Sequence, residues 1–311
     1  MSDVTDVDAQ RLLRHDVAAV RLPRDVVRAT GKDAVEYLQG QLSQDLAALE
    51  PGGVAHSLVL EPTGKVDAWV RVWRPAGSDD GAPELLLEVD SGAGPGLLTR
   101  LERFKLRVEV DLELVAWHLV AVRGPATPAP EQLAGPSVLA AAVDWAGLRG
   151  VDLLGPDVEV PDGISEVGAA ALDAVRVEAG WPAMATELGP DQEPKVIPAE
   201  AGEWLVERSV SFTKGCYTGQ ELVARVDSRG SRTPRKLRGL VVDGDDEPEV
   251  GATVVVDGEG RGQVTSVARS AELGRPVALA YVHRSVEPGA TVRLGDGGPT
   301  ATVRELPLVG G

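Results

Sequence analysis

The chain holds one cysteine, and it stands in an unusual setting: Lys214-Gly215-Cys216-Tyr217-Thr218-Gly219-Gln220-Glu221. A thiolate is the nucleophilic and metal-binding form of cysteine, so what matters is whatever lowers the thiol pKa. Thr218-x-x-Glu221 has the form of a capping box, which predicts a helix with Thr218 as N-cap and Glu221 at its third position, running on through Leu222-Val223-Ala224. Cys216 then sits just ahead of a helix start, where unpaired amides and the macrodipole favour an anion. Lys214, two residues away, adds a cation. Gly215 and Gly219 permit tight turns and close approach of a ligand. The plain alternative is a small buried hydrophobe, the commonest fate of a lone cysteine.

Two further groups have types suited to binding. Glu178 follows Val167 by 11 residues and Ala171 by 7, which brings it back to within roughly 20° of both on a helix. A carboxylate on an apolar stripe needs a partner or a ligand, because an unpaired buried charge is costly. Arg225 is one candidate partner. The second group is Gln39-Gly40-Gln41 with Asp45. Its amides can donate to and accept from a heterocycle edge, and a polar helix end explains them equally well.

The totals set bounds. A chain of 311 residues, 43% hydrophobic and 25% charged, suffices for two or three domains with sizeable cores. One cysteine excludes an internal disulfide and a self-contained four-cysteine iron–sulfur site. The four histidines, His15, His56, His118 and His283, have no metal-ligand spacing, so no metal site is expected. The net charge of -17 argues against non-specific nucleic-acid binding. Residues 214–238 run the other way, with seven cations (Lys214, Arg225, Arg229, Arg232, Arg235, Lys236, Arg238) against Glu221 and Asp227. That stretch reads either as a solvated linker or as a landing strip for an anionic ligand tail or acidic partner. No apolar run approaches the roughly 18 residues of a membrane helix, and the acidic start Met1–Asp6 is unlike a targeting peptide, so the cytoplasm is expected. Dinucleotide, Walker, nucleophile-elbow and His-Glu-x-x-His motifs are all absent.

The elements that must position these groups follow from periodicity. Asp25–Ala29 reads as a strand, and Val35, Leu38, Leu42 and Leu46 form the stripe of a helix. Ala55–Leu60, Val66–Trp73, Glu84–Val89 and Val108–Leu114 are strands, with Pro75–Pro83 a loop and a helix between Gly96 and Arg107. Further strands are expected at Leu119–Val122, Val138–Val143 and Val151–Leu154, then a helix over Ile164–Ala179 stopped by Gly180-Trp181-Pro182. From Leu237 onward, short alternating runs separated by Gly, Asp and Pro predict a small antiparallel barrel or sandwich. The fold class is α+β, with a first subdomain over residues 1–114, a second over 115–230, a linker at Ser228–Pro234 and a C-terminal all-β domain, barrel or sandwich, over 235–311.

Lys214–Glu221, followed by Val223-Ala224-Arg225, resembles the signature of the YgfZ folate-binding family, relatives of the glycine cleavage T-protein (aminomethyltransferase). Gly31–Leu46, Arg176-Val177-Glu178-Ala179-Gly180-Trp181-Pro182, Gly262–Ser266 and Ala278–Val282 are similar to further family elements in the same order, so the resemblance covers about residues 24–306. It implies two interlocked α+β subdomains around a central folate channel, followed by the barrel. It also implies tetrahydrofolate or a derivative as ligand. Cys216 and Lys214 then carry the chemistry, and Glu178, Tyr217, Gln220, Glu221, Arg225, Gln41 and Asp45 the folate binding. Glu178 inherits the pterin, whose amino group and adjacent N–H suit a carboxylate. The implied role is iron–sulfur cluster assembly or repair, with iron–sulfur enzymes or assembly proteins as partners and tRNA modification as an indirect consequence. The T-protein's aspartate pair aligns with Ala68 and Trp69, placing Asp67 one residue early unless a one-residue bulge intervenes. The alternatives are a folate-dependent aminomethyltransferase and a non-catalytic folate-sensing scaffold.

Overall fold

The computed structural model describes residues 5–77, 83–189, 192–228, 230 and 232–310. Met1–Val4, part of the expected loop at Pro75–Pro83, Arg229 and part of the expected linker lie outside the described residues.

Two elements precede Arg24, where the sequence reading begins: α1 (Asp6–His15) and β1 (Ala18–Leu22). Thr5 caps α1, accepting from the Asp8 amide, but the helix buries only Ala9, Gln10 and Leu13, so its apolar stripe is thin. Next come β2 (Arg24–Thr30), α2 (Ala34–Gln41), β3 (Val54–Leu60), β4 (Val66–Trp73), β5 (Glu84–Asp90), α3 (Gly94–Phe104) and β6 (Asp111–Val115). The middle holds β7 (His118–Arg123), α4 (Pro130–Leu133), β8 (Leu139–Val143), β9 (Gly150–Gly155), β10 (Ser165–Glu166) and α5 (Ala169–Ala179). Then come α6 (Pro198–Ala201), α7 (Glu203–Ser209) and α8 (Gln220–Asp227). The last strands are β11 (Arg235–Val242), β12 (Thr253–Val256), β13 (Glu259–Ser270), β14 (Arg275–His283), β15 (Thr291–Leu294) and β16 (Thr300–Arg304).

Contacts divide the chain into two compact units, each drawn from separated segments. One comprises Met1–Leu22, His118–Pro182 and Pro234–Gly311. It contains a five-stranded sheet in the order β10-β1-β7-β9-β8 and the closed barrel β11-β14-β13-β12-β15-β16. The sheet buries Ala19, Val120, Val122, Val151 and Leu153. The barrel closes on Leu240, Val254, Val264, Ala280, Val292 and Val303, the inward set of its alternating runs. Helix α5 packs against α1 and against β13. It stops where expected, with Gly180 in the left-handed conformation as its C-cap.

The other unit comprises Pro23–Trp117 and Ala183–Thr233. Its sheet runs β3-β4-β5-β2-β6, antiparallel throughout. The stripe Val35–Leu46 is not one helix: α2 ends at Gln41. Leu42 leaves it extended, bridges Val59, and is fully buried, as is Leu46. Gly40 weakens the last turn, and the Gln39 side chain accepts from the Leu46 and Ala47 amides, closing a turn in place of further helix. Pairing of β3 with β4 jumps from Val59↔Ala68 to Leu60↔Val66, which leaves Asp67 as the extra residue of a β-bulge.

Candidate functional site

The cysteine motif lies between α7 and α8. Its helix starts one residue later than the capping-box pattern predicts, with Gln220 the first helical residue and Gly219 the N-cap at φ 81°. No side chain caps it, so neither Thr218 nor Glu221 plays the expected part. The reason is a backbone contact. A Cβ on Gly219 would stand 2.8 Å from Leu60 Cβ and closer still to the Glu61 carbonyl oxygen, and one on Gly64 would stand 2.5 Å from Leu222 Cβ. The β3–β4 turn and the motif thus touch through two glycines, and Gly219 also supplies the positive φ that another residue adopts only at a cost. Gln220 serves the loop instead, its Oε1 accepting from the Tyr217 amide at 3.1 Å.

Cys216 is exposed. It stands four positions before the helix, beyond the first turn over which the macrodipole acts. The side chains on either side of the exposed pair Gly215-Cys216 turn inward: Lys214 and Tyr217 are both half-buried. The Lys214 ammonium donates to the carbonyls of Gln39 (2.5 Å), Leu42 (2.6 Å) and Gln44 (3.0 Å), and lies 5.2 Å from the Tyr217 ring centroid. Burial lowers its pKa to about 8, with Asp45 acting in the opposite direction. Burial raises the Tyr217 hydroxyl to about 12. The motif and the end of α2, some 170 residues apart in the chain, are therefore bonded together.

At that end of α2 the two glutamines differ. Gln39 is spent on the turn, its Nε2 donating to Asp45 Oδ1 at 2.9 Å. Asp45 also accepts from the Ala48 amide, so it too is occupied locally. Gln41 Oε1 is buried with no hydrogen-bond partner, a state that calls for an explanation such as a water or a ligand. Glu221 and Arg225 are exposed on α8, and Arg232 is also exposed. Within the barrel, Arg235 lies over the Tyr281 ring and Arg238 pairs with Glu305, so part of the basic stretch serves the fold.

Asp67 belongs to the same unit as the motif. Its Oδ2 lies 3.5 Å from Arg100 Nε, and burial raises its pKa against the pull of Arg100. Arg100 is held over the Phe104 ring at 4.0 Å, and its Nη1 is buried without a hydrogen-bond partner. Beside this pair Lys195 bonds Glu61 of the β3–β4 turn. A shallow apolar cleft is lined by Gly64, Ile197, Pro198, Val206, Leu222 and Val226, among others. Among its described lining residues Asp227 alone is charged, and they include no set of convergent polar groups of the kind that fixes a heterocycle.

Glu178, in the other unit, is fully buried on α5. Its partner is Arg14 of α1, not Arg225. Arg14 Nε donates to Oε2 at 2.7 Å, Nη2 bonds the same oxygen, and the arginine side chain is 6% exposed. Oε1 is left buried with no partner. That arginine lies on the helix whose thin apolar stripe hid it, so only its position five residues beyond Ala9 on a short amphipathic segment could have flagged it. Among the described residues no group of three or more His, Cys, Asp or Glu could hold a metal ion, and no helix is long and apolar enough to cross a membrane.

Against known proteins, residues 235–309 match the family model of the glycine cleavage T-protein C-terminal barrel domain. The chain is 30% identical over 292 residues to an aminomethyltransferase of Streptomyces coelicolor, covering 82% of this chain and 75% of that one. It is also 30% identical over 216 residues to the iron-sulfur cluster assembly factor IBA57 homolog, mitochondrial, of Mycosarcoma maydis. That match covers 67% of this chain and spans about half, 53%, of the relative's length. The crystal structure of glycine cleavage system aminomethyltransferase T from Bartonella henselae superposes with a TM-score of 0.78 at 19% identity, over 98% of this chain and 90% of that one. The last is a likeness of fold.

Proposed function

Because the chain belongs to the glycine cleavage T-protein family, we propose that it binds tetrahydrofolate or a derivative and acts in iron–sulfur cluster assembly or repair, with Cys216 as its reacting group. The observation that carries this reading is an exposed thiol on a loop fastened down on both sides, by the Lys214 carbonyl bonds and by the Gly219–Gly64 contact. A lone thiolate cannot hold a cluster, so the cluster or metal is cargo shared with another chain or a small thiol. Iron–sulfur enzymes or assembly proteins are the partners, the cytoplasm is the compartment, and any effect on tRNA modification is indirect.

A buried acceptor without a partner suits the donor edge of a pterin: Glu178 Oε1. Glu178 would accept from the pterin through the oxygen that Arg14 leaves, and Arg14 holds that carboxylate in orientation. When bound, the folate supplies nitrogens able to carry a one-carbon unit. The chain's own contribution is to orient that ligand and to present Cys216. Titration of the purified protein with reduced folates, repeated on Glu178→Gln, tests the first part, with an expected loss of about tenfold in affinity for one charged hydrogen bond. Equal affinity would remove Glu178 from the site. Cys216→Ala should fold normally yet fail to restore cluster-enzyme activity in a deletion strain, and full restoration would remove the thiol from the function.

One observation favours a second reading, aminomethyl transfer to tetrahydrofolate. Asp67 occupies a bulge, is half-buried, and has a raised pKa, as a proton-handling carboxylate requires. Turnover with a lipoyl-bound aminomethyl donor that disappears in Asp67→Asn would promote this reading.

A further inference from the structure

We propose that Lys214 is a peg that positions the Cys216 loop on the turn after α2, and that it does not activate the thiol. This rests on the reading of Cys216 as the reacting group. An ammonium has three N–H donors and no acceptor. Here three carbonyl oxygens, those of Gln39, Leu42 and Gln44, each stand within 3.0 Å of Nζ. Every proton is therefore spent on backbone, and none is left to aim at sulfur. The Gln39 carbonyl belongs to the last turn of α2, where helix carbonyls lack an intrahelical partner. The ammonium caps that helix from a segment 175 residues away. A cation is also the group that the C-terminal end of a helix dipole favours.

The loop around the peg has the matching shape. Tyr217, the residue after Cys216, has its ring centroid 5.2 Å from the ammonium, so the exposed thiol is carried between two half-buried side chains that meet each other. Ahead of the peg, Ser211 donates its amide to the Ser43 carbonyl, and Ser43 Oγ donates to the Ser209 carbonyl at 2.6 Å. The same turn thus holds the approach to the motif as well as the motif. Lysine suits this task and arginine does not. Three carbonyls around a single nitrogen suit the three N–H donors of an ammonium, whereas a guanidinium spreads its donors over a planar fork.

The test separates a peg from an activator. In Lys214→Met, which keeps the apolar stem, amide hydrogen exchange over 39–46 and 214–220 should accelerate by about tenfold or more, as expected for a lost charge-assisted hydrogen bond. The pH midpoint of Cys216 alkylation by iodoacetamide should stay within about 0.3 unit of wild type, whereas losing an activating cation moves it up by about one unit or more. Lys214→Arg should leave exchange fast. In Lys214→Ala, millimolar propylammonium replaces the atoms removed and should restore slow exchange over both segments. An alkylation midpoint raised by a unit with exchange unchanged would overturn the proposal, as would wild-type protection in Lys214→Arg. Were no variant to fold, the wild-type ammonium decides the matter by nitrogen-15 NMR at neutral pH. Three bonded protons exchange slowly enough to be seen, and a signal lost to solvent exchange counts against the peg. Full cellular rescue by Cys216→Ala would remove the functional reading and leave these measurements intact.

Discussion

The Cys216 loop and the surroundings of Glu178 hold their key groups by opposite means. Around Cys216 the reactive atom is exposed, and the fastening is done by backbone: three carbonyls on one ammonium and two glycines in contact. Around Glu178 the carboxylate is fully buried, and the fastening is a single side-chain ion pair with Arg14. Backbone fastening depends on residue types that permit close approach, so it leaves a dense local signature. Side-chain fastening needs only one complementary charge, which can come from anywhere in the chain. One region is therefore conspicuous as a motif and the other shows only half of itself.

The largest expected effect breaks the second region. Arg14→Met should cost about 3–5 kcal/mol, because it strands a buried carboxylate. Glu178→Leu in the same chain should recover much of that loss in chemical denaturation. A loss under about 1 kcal/mol for Arg14→Met would mean that water reaches Glu178 and that the two regions differ less than their burial implies. Next in size, Gly219→Ala forces a side chain into a left-handed conformation at φ 81° and against the β3–β4 turn. About 1–3 kcal/mol is expected, with Gly215→Ala, which meets nothing within 4 Å, as the near-neutral control.

The smallest effect sharpens the comparison through pH. Burial sets the Lys214 pKa at about 8, below its ordinary 10.5. Between those values the unfolded chain holds the extra proton, so the contribution of this position to stability should rise with pH across that window and be flat below it. The stability gap between wild type and Lys214→Met, measured by denaturant unfolding at pH 7, 9 and 10, should therefore shift in favour of wild type. A gap that stays constant would mean that the three carbonyls hold the proton against burial, a firmer fastening still.

Much of the architecture was legible because periodicity is local. Strand β4 was expected at Val66–Trp73 and lies there, the barrel runs alternate as their strands do, and Gly180 ends α5. The errors arose where a distant contact outweighed local preference. Leu42 and Leu46 continue a helical stripe, but Leu42 is drawn into a bridge with Val59. Thr218 and Glu221 spell a capping box, but the approach of Gly219 to Leu60 and Glu61 sets the helix start at Gln220.

By itself the sequence determined that the chain is α+β with an all-β C-terminal domain and that its single thiol lies in a glycine-flanked turn, since hydrophobic period and glycine placement act over a few residues. Only the tertiary structure decided what each charged group meets: Arg14 for Glu178, the carbonyls after α2 for Lys214, and Arg100 for a bulged Asp67. Pairing energies of buried charges depend on distance in space, and neither spacing nor composition encodes which of the arginines will be the neighbour.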